Sequence, residues 1–153
     1  TPGMSNSVQS AAQPRRAALV ELTEIKDPNR GALGIAETPT HVPFAIRRVL
    51  THYDLPLNDR RGHHAHRELE EFIICLTGSV EVEIIDETGM QSFRLDTPRT
   101  ALSVPALTCV TVKVLALETT CVVMPSADYD PDEYIEDLAE LQALFARRRS
   151  GNI

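Results

Sequence analysis

The chain has no tryptophan, only three cysteines in 153 residues, no surplus of basic charge and no run of apolar residues long enough to cross a membrane. Each shortage removes a class of protein. A membrane-spanning helix needs about eighteen or more consecutive apolar residues. Without such a run, and with no charged-then-apolar pattern at its start, the chain is expected to be a soluble, cytoplasmic protein that does not engage a membrane. Cys75, Cys109 and Cys121 are odd in number, widely spaced and each set in an apolar stretch, a pattern of reduced core thiols rather than a disulfide framework. A net charge of −7 argues against nucleic acid as a partner, because a duplex demands a basic face. There is no internal repeat and no glycine-rich loop that could cradle a phosphate. With 42% apolar and 24% charged residues the composition is that of an ordinary globular chain, and its length suits one domain with a real core.

What is present in strength is histidine in one place. Residues 60–78 read RRGHHAHRELEEFIICLTG, with three histidines inside four residues. Side chains two apart on a strand share a face, so His64 and His66 point one way while His63 and Ala65 point the other. Two imidazoles on one face can hold a metal or move protons near neutral pH. Of the paired acids that follow, Glu70 and Glu71, one must face outward, and Glu70 suits a solvated position better. The acidic protein also carries a basic island: six arginines (30, 47, 48, 60, 61, 67) against three acids from Arg30 to Arg67. Arginine offers planar, two-pronged recognition of phosphate, so the island suits a small anionic ligand.

The rest of the chain reads as short strands about ten residues apart. Expected strands cover 18–24, 42–51, 68–76, 80–86, 91–95, 100–104, 109–116 and 119–124, with a hairpin at Glu87-Thr88-Gly89 and turn chemistry over 27–34. Strands at this spacing without helices between them indicate an antiparallel sandwich or barrel. One helix is expected at the end, capped by Asp130-Pro131, acidic at its start and closed by Arg147 to Arg149. Tyr134, Leu138, Leu141 and Phe145 would form its apolar stripe, with Tyr129 and Tyr134 read as packing residues.

The spacing His64-x-His66, four residues, Glu71, six residues, Gly78 resembles the first motif of the cupin superfamily. Further pieces are similar to one branch, the nucleotide-sugar 3,4-ketoisomerases that act on dTDP-4-keto-6-deoxyglucose: RGAL at 30–33, VPFAIRRV at 42–49, RGHHAH at 61–66, LDTP at 95–98 and YDPDEYIEDL from Tyr129. The resemblance implies an all-β cupin, a jelly-roll antiparallel β-barrel over 18–128, with a flexible tail over 1–17 and a C-terminal α-helix over 129–149 packed on the barrel or on a dimer partner. It implies a homodimer acting on a nucleotide-linked sugar without metal or other cofactor.

The roles it implies are His64 as principal base, His66 as orienting or relaying partner and Arg61 or Arg48 as anion contact. It also puts Arg30, Thr51, Tyr53, Glu71, Thr108 and Cys109 at the substrate. Where the branch carries pocket aromatics this chain has Leu50, Thr51 and His52, and Thr108-Cys109 stand where it has tryptophan and a polar residue. Three alternatives stay open: another keto substrate on the same scaffold, a metal-dependent cupin using His64, His66 and Glu71, or a non-catalytic nucleotide-sugar-binding relative. Against the metal, residues 105–113 contain no histidine to serve as the second motif's ligand.

Overall fold

The computed structural model describes residues 15–151. The expected tail thus lies outside the described residues except for its last three positions, which are tied down. Arg15 pairs with Glu70, Arg16 with Asp86 at 3.1 Å, and Ala17 is buried.

The described chain is mostly β. One five-stranded sheet runs in the order β1 (Ala18–Glu21), β9 (Thr100–Val104), β6 (Glu71–Thr77), β11 (Thr120–Pro125), β4 (Leu50–His52). A second runs β12 (Tyr134–Ile135), β5 (Arg60–His66), β10 (Cys109–Val114), β7 (Val80–Asp86), β8 (Gly89–Leu95). A separate ribbon pairs β2 (Thr23–Asp27) with β3 (Gly31–Ile35), and one helix, α1 (Leu138–Arg149), closes the chain. The sheets face each other across the main core. Val80, Val82 and Ile84 alternate inward from β7 with no exposure at all, meeting Ile73 and Cys75 of β6, Leu102 of β9, Val110 of β10 and Val123 of β11. Burying each such aliphatic side chain stabilises the fold by about 1.5–3 kcal/mol relative to leaving it in water. Cys75 and Cys121 lie in this core and Cys109 in a smaller one, all three as free thiols.

The glycine that ends the histidine stretch has a steric cause. Gly78 has φ +78°, and a Cβ there would collide with Thr119, a buried residue whose hydroxyl donates to Ala116 O at 2.7 Å. Two loops meet at that point with no room for a side chain.

Three expectations change. The strand over 18–24 divides, because Leu22 N bonds to Arg99 O and the chain then leaves the sheet; residues 31–35, read as turn, return as β3 of the ribbon. Of the strand over 42–51 only Leu50 and Thr51 join the sheet ladder, together with His52 just beyond it. The segment before it, with Pro39 and Pro43 lacking donors, lies irregularly over the outer face of the first sheet, where Val42, Phe44 and Ile46 cover Phe72, Ile74 and Met124. Lastly, Asp130 caps only a 3-10 turn, Pro131–Glu133. Tyr134 and Ile135 then extend to pair with β5, and α1 starts after a second cap, the Asp137 carboxylate accepting from Ala139 N at 2.9 Å. The apolar stripe survives without Tyr134: Leu138, Leu141, Leu144 and Phe145 pack on Ala65, Cys109 and Ile135.

Candidate active site

The histidines ride on a bulged strand. β5 pairs with β10 with Val110 opposite His64 and Thr111 opposite Gly62, so His63 is left over. Gly62 and His63 both take positive φ, +93° and +62°. A Cβ on Gly62 would come within 2.7 Å of Val110 O, which is why the bulge opens on glycine. The bulge changes which side chains meet. Strict alternation would set Arg61 and His64 on opposite faces, yet both line one cavity, and His63 is turned outward to Thr111 Oγ1 at 3.2 Å.

That cavity, 250 Å³, lies between the two sheets. Arg61, Gly62, His64, Val110, Val112 and Tyr134 form the wall from the second sheet; Leu50, His52, Glu71, Ile73 and Val123 form the wall from the first. His64 and His66 stand edge to face with ring centroids 5.0 Å apart, and the Tyr134 ring is 4.8 Å from each. Tyr129 stands 6.1 Å from Tyr134.

His66 is 5% exposed, and neither of its ring nitrogens has a hydrogen-bond partner. Burial, helped by the charges of His64 and Arg48 and opposed by Glu133, pushes its pKa down to about 4. Glu71 lies 3.7 Å away, carboxylate Oε1 to imidazole Nε2, and burial raises its carboxyl to about 7 against the pull of Arg48. Burial outweighs the mutual attraction that would charge both groups, so near neutral pH a neutral imidazole faces a carboxyl that is about half protonated. His64 is also lowered, by burial first and by His63, while a hydrogen bond with the Gly62 backbone and the Glu136 charge oppose the shift. The site thus offers neutral imidazoles as bases and a carboxyl as proton donor.

Arginines frame the cavity. Arg61 donates through Nε and Nη2 to Asp59 Oδ2 at 3.2 and 3.1 Å. Arg48, half-buried, donates to Ala127 O at 2.9 Å, and its guanidinium sits 5.9 Å from the Tyr129 ring. Arg47 points away and pairs with Asp128 at 3.3 Å. Glu70 also points away, toward Arg15.

Of the expected site residues, His64, Arg61 and Glu71 line the cavity, and His66 lies directly behind His64. Arg48 stands near them, its charge acting on His66 and Glu71, and the others are elsewhere. Arg30 is exposed at the tip of the ribbon, where its N–H bonds to Asp27 O. Thr51 faces outward from β4 because its neighbours Leu50 and His52 face in, and Tyr53 beyond it is 64% exposed. Thr108 is buried with its hydroxyl on Ala106 O, and Cys109 packs under α1 on the far side of the second sheet from the cavity. Among the described residues no three His, Cys, Asp or Glu side chains gather closely enough to hold a metal ion. Sequence reasoning names His52 only as standing where the branch carries pocket aromatics, without a role, and misses Tyr134 as a cavity residue. Tyr134 was assigned to a helix stripe, and its strand is held to the histidine strand by Arg67, which donates to Asp132 O and Glu140, and by Glu133, which accepts from Glu68 N and Leu69 N.

Comparison with known proteins gives a consistent picture. Residues 15–146 match the family model described as "FdtA: WxcM-like, C-terminal". A curated relative, the TDP-4-oxo-6-deoxy-alpha-D-glucose-3,4-oxoisomerase of Aneurinibacillus thermoaerophilus, is 30% identical over 119 residues, 78% of this chain and 86% of its own. The crystal structure of a 3,4-ketoisomerase from Helicobacter canadensis superposes with a TM-score of 0.80 at 28% identity, covering 85% of this chain and 97% of that one. QdtA, a sugar 3,4-ketoisomerase from Thermoanaerobacterium thermosaccharolyticum solved in complex with TDP, gives 0.81 at 26% identity, covering 87% and 96%.

Proposed function

The chain belongs to the FdtA family, and from that membership and the chemistry of its cavity we propose that it is a nucleotide-sugar 3,4-ketoisomerase, moving the keto group of a TDP-linked 4-keto-6-deoxyhexose from C4 to C3. The observation that carries this reading is a neutral imidazole, His64, lining one cavity together with a protonatable carboxyl, Glu71, and a guanidinium, Arg61.

Isomerisation requires loss of the proton on C3, passage through an enediolate and return of a proton at C4. His64 is the base for the first step, since burial keeps it unprotonated and C3–H is acidified by the adjacent carbonyl. His66, packed edge to face against it, orients its ring. Arg61 stabilises charge as it develops on the sugar oxygens, and the Glu71 carboxyl donates to one of them. At 250 Å³ the cavity falls just below the range of about 300–1,000 Å³ usual for whole ligands. It suits the sugar ring, leaving the diphosphate and nucleoside over the mouth near Arg48 and Tyr129.

The two facing sheets support a jelly-roll barrel of the cupin type over residues 18–128, with 129–149 as the segment that covers its flank. The homodimer reading is supported by the ribbon, where Ile25 and Leu33 stand opposite each other, both 57% exposed, on a two-stranded element too small to be stable alone. Three reduced thiols suit a cytoplasmic protein, and none of the helices among the described residues is long and apolar enough to cross a membrane.

The test is the reaction itself. Purified protein incubated with TDP-4-keto-6-deoxyglucose in heavy water is expected to yield the 3-keto isomer with deuterium from solvent at C4, read by NMR. His64→Asn is expected to lower turnover by about 10²-fold or more while TDP still binds by calorimetry. A wild-type protein that neither exchanges nor isomerises would sink the proposal.

A further inference from the structure

The cavity is lined by a second imidazole, beside that of His64, that no step above uses. His52 comes from β4, the edge strand of the first sheet, where it lies in register with Cys121; His64 comes from β5 of the second sheet. The two histidines therefore reach the same cavity from opposite walls, with Arg61 lining it as well. His66 cannot take this part, because it sits behind His64 on the same strand face. A flat enediolate lying between two walls can be protonated from either face, and which face is used fixes the configuration of the new centre.

We propose that His52 is the second acid–base residue of this isomerase, giving C4 its proton from the wall opposite the one where His64 removes the proton from C3. The proposal rests on the ketoisomerase reading above. In the first step His64 accepts the C3 proton, the C–H electron pair becomes the C3=C4 double bond, and the carbonyl electrons move to the oxygen on C4. The hydroxyl proton on O3 then passes to O4. In the last step the C3=O bond forms, and the electrons of the double bond take a proton from the His52 imidazolium at C4. His64 has gained one proton and His52 has lost one, with the sugar isomerised and otherwise unchanged. Solvent exchange restores both rings before the next turnover. Burial and the Arg61 charge both lower the proton affinity of His52, so its imidazolium is a stronger acid toward a carbon centre but is populated less than a free imidazolium, and the C4 half-reaction is favoured on the acid side of the ordinary imidazole range.

Two consequences distinguish this arrangement from a single histidine that carries one proton across one face. The hydrogen lost from C3 and the hydrogen gained at C4 lie on opposite faces of the ring, and no label passes between the two carbons. Substrate carrying deuterium at C3, turned over in ordinary water, is expected to give product with solvent hydrogen only at C4, and proton couplings are expected to show the opposite-face configuration. His52→Asn is expected to lower product formation by about 10²-fold or more while still washing deuterium out of C3, because the His64 half-reaction is intact. That wash-out also reports a folded site, and His52→Gln gives the same reading should asparagine lower the melting temperature. Transfer of deuterium from C3 to C4, same-face addition, full turnover by both variants, or loss of wash-out together with turnover in folded variants would each overturn the role of His52. Failure of the ketoisomerase reading looks different, since the wild-type protein itself would then leave C3 unexchanged.

Discussion

Glu71 and His66 are two ionisable groups held neutral by the same burial, and their effects on stability run in opposite directions with pH. The Glu71 carboxyl is raised from 4.5 to about 7, so the folded state holds a proton that the unfolded chain releases; the stability this contributes is present below pH 4.5 and lost as pH rises through 7. The loss is on the order of 3 kcal/mol at most. His66, lowered from 6.5 to about 4, contributes stability above pH 6.5 that fades as pH falls toward 4. Glu71→Gln removes the first effect and leaves the second. Its melting temperature is expected to gain several degrees on wild type between pH 5 and pH 8, and melting curves whose separation stays constant across that range would contradict the assignment. Period-two alternation was enough to turn Glu71 in and Glu70 out, and to pair His64 with His66. It could not find His52. Leu50–His52 is a three-residue strand after a long irregular segment, and three residues carry no periodicity to read.

At the scale of the element, the bulge at Gly62 and His63 decides the composition of the site, because it turns Arg61 and His64 onto one face. Gly62→Ala would place a Cβ against Val110 O on a backbone with φ +93°. The expected cost is about 1–3 kcal/mol. Activity is expected to fall further than that loss of stability explains, since straightening the strand carries Arg61 away from His64. Melting temperature together with kcat/KM on the same sample checks this; a variant that is destabilised but retains wild-type kcat/KM would show that the bulge is only structural. The sequence signals read at this scale were local ones. Asp130-Pro131 is a true capping pair, but it caps one turn, after which the pairing of Tyr134 and Ile135 with the edge of β5 and the burial of Ile135 outweigh helix continuation. Long-range pairing of this kind leaves no mark in the residues that make it.

For the whole molecule, the two-sheet β architecture was legible from strand spacing, while the ribbon was not, because its residues read as turn chemistry around Asp27 to Gly34. The ribbon contributes nothing to the cores between or outside the sheets, so its apolar pair can be altered without unfolding the domain. If the proposed homodimer forms through the ribbon, replacing Ile25 and Leu33 together by aspartate is expected to halve the mass in sedimentation equilibrium at unchanged strand content by circular dichroism; a double variant that sediments as wild type would count against the ribbon as a dimer contact. One consequence of the C-terminal segment concerns synthesis. The last strand to join the second sheet supplies Tyr134 to the cavity wall, and α1 then covers the outer side of that sheet through Leu141 and Phe145. On a ribosome, all the other cavity-lining residues emerge before this segment does, and the first nascent domain has a cavity open on one side. The wall of the cavity is therefore complete only once the segment carrying Tyr134 has joined β5.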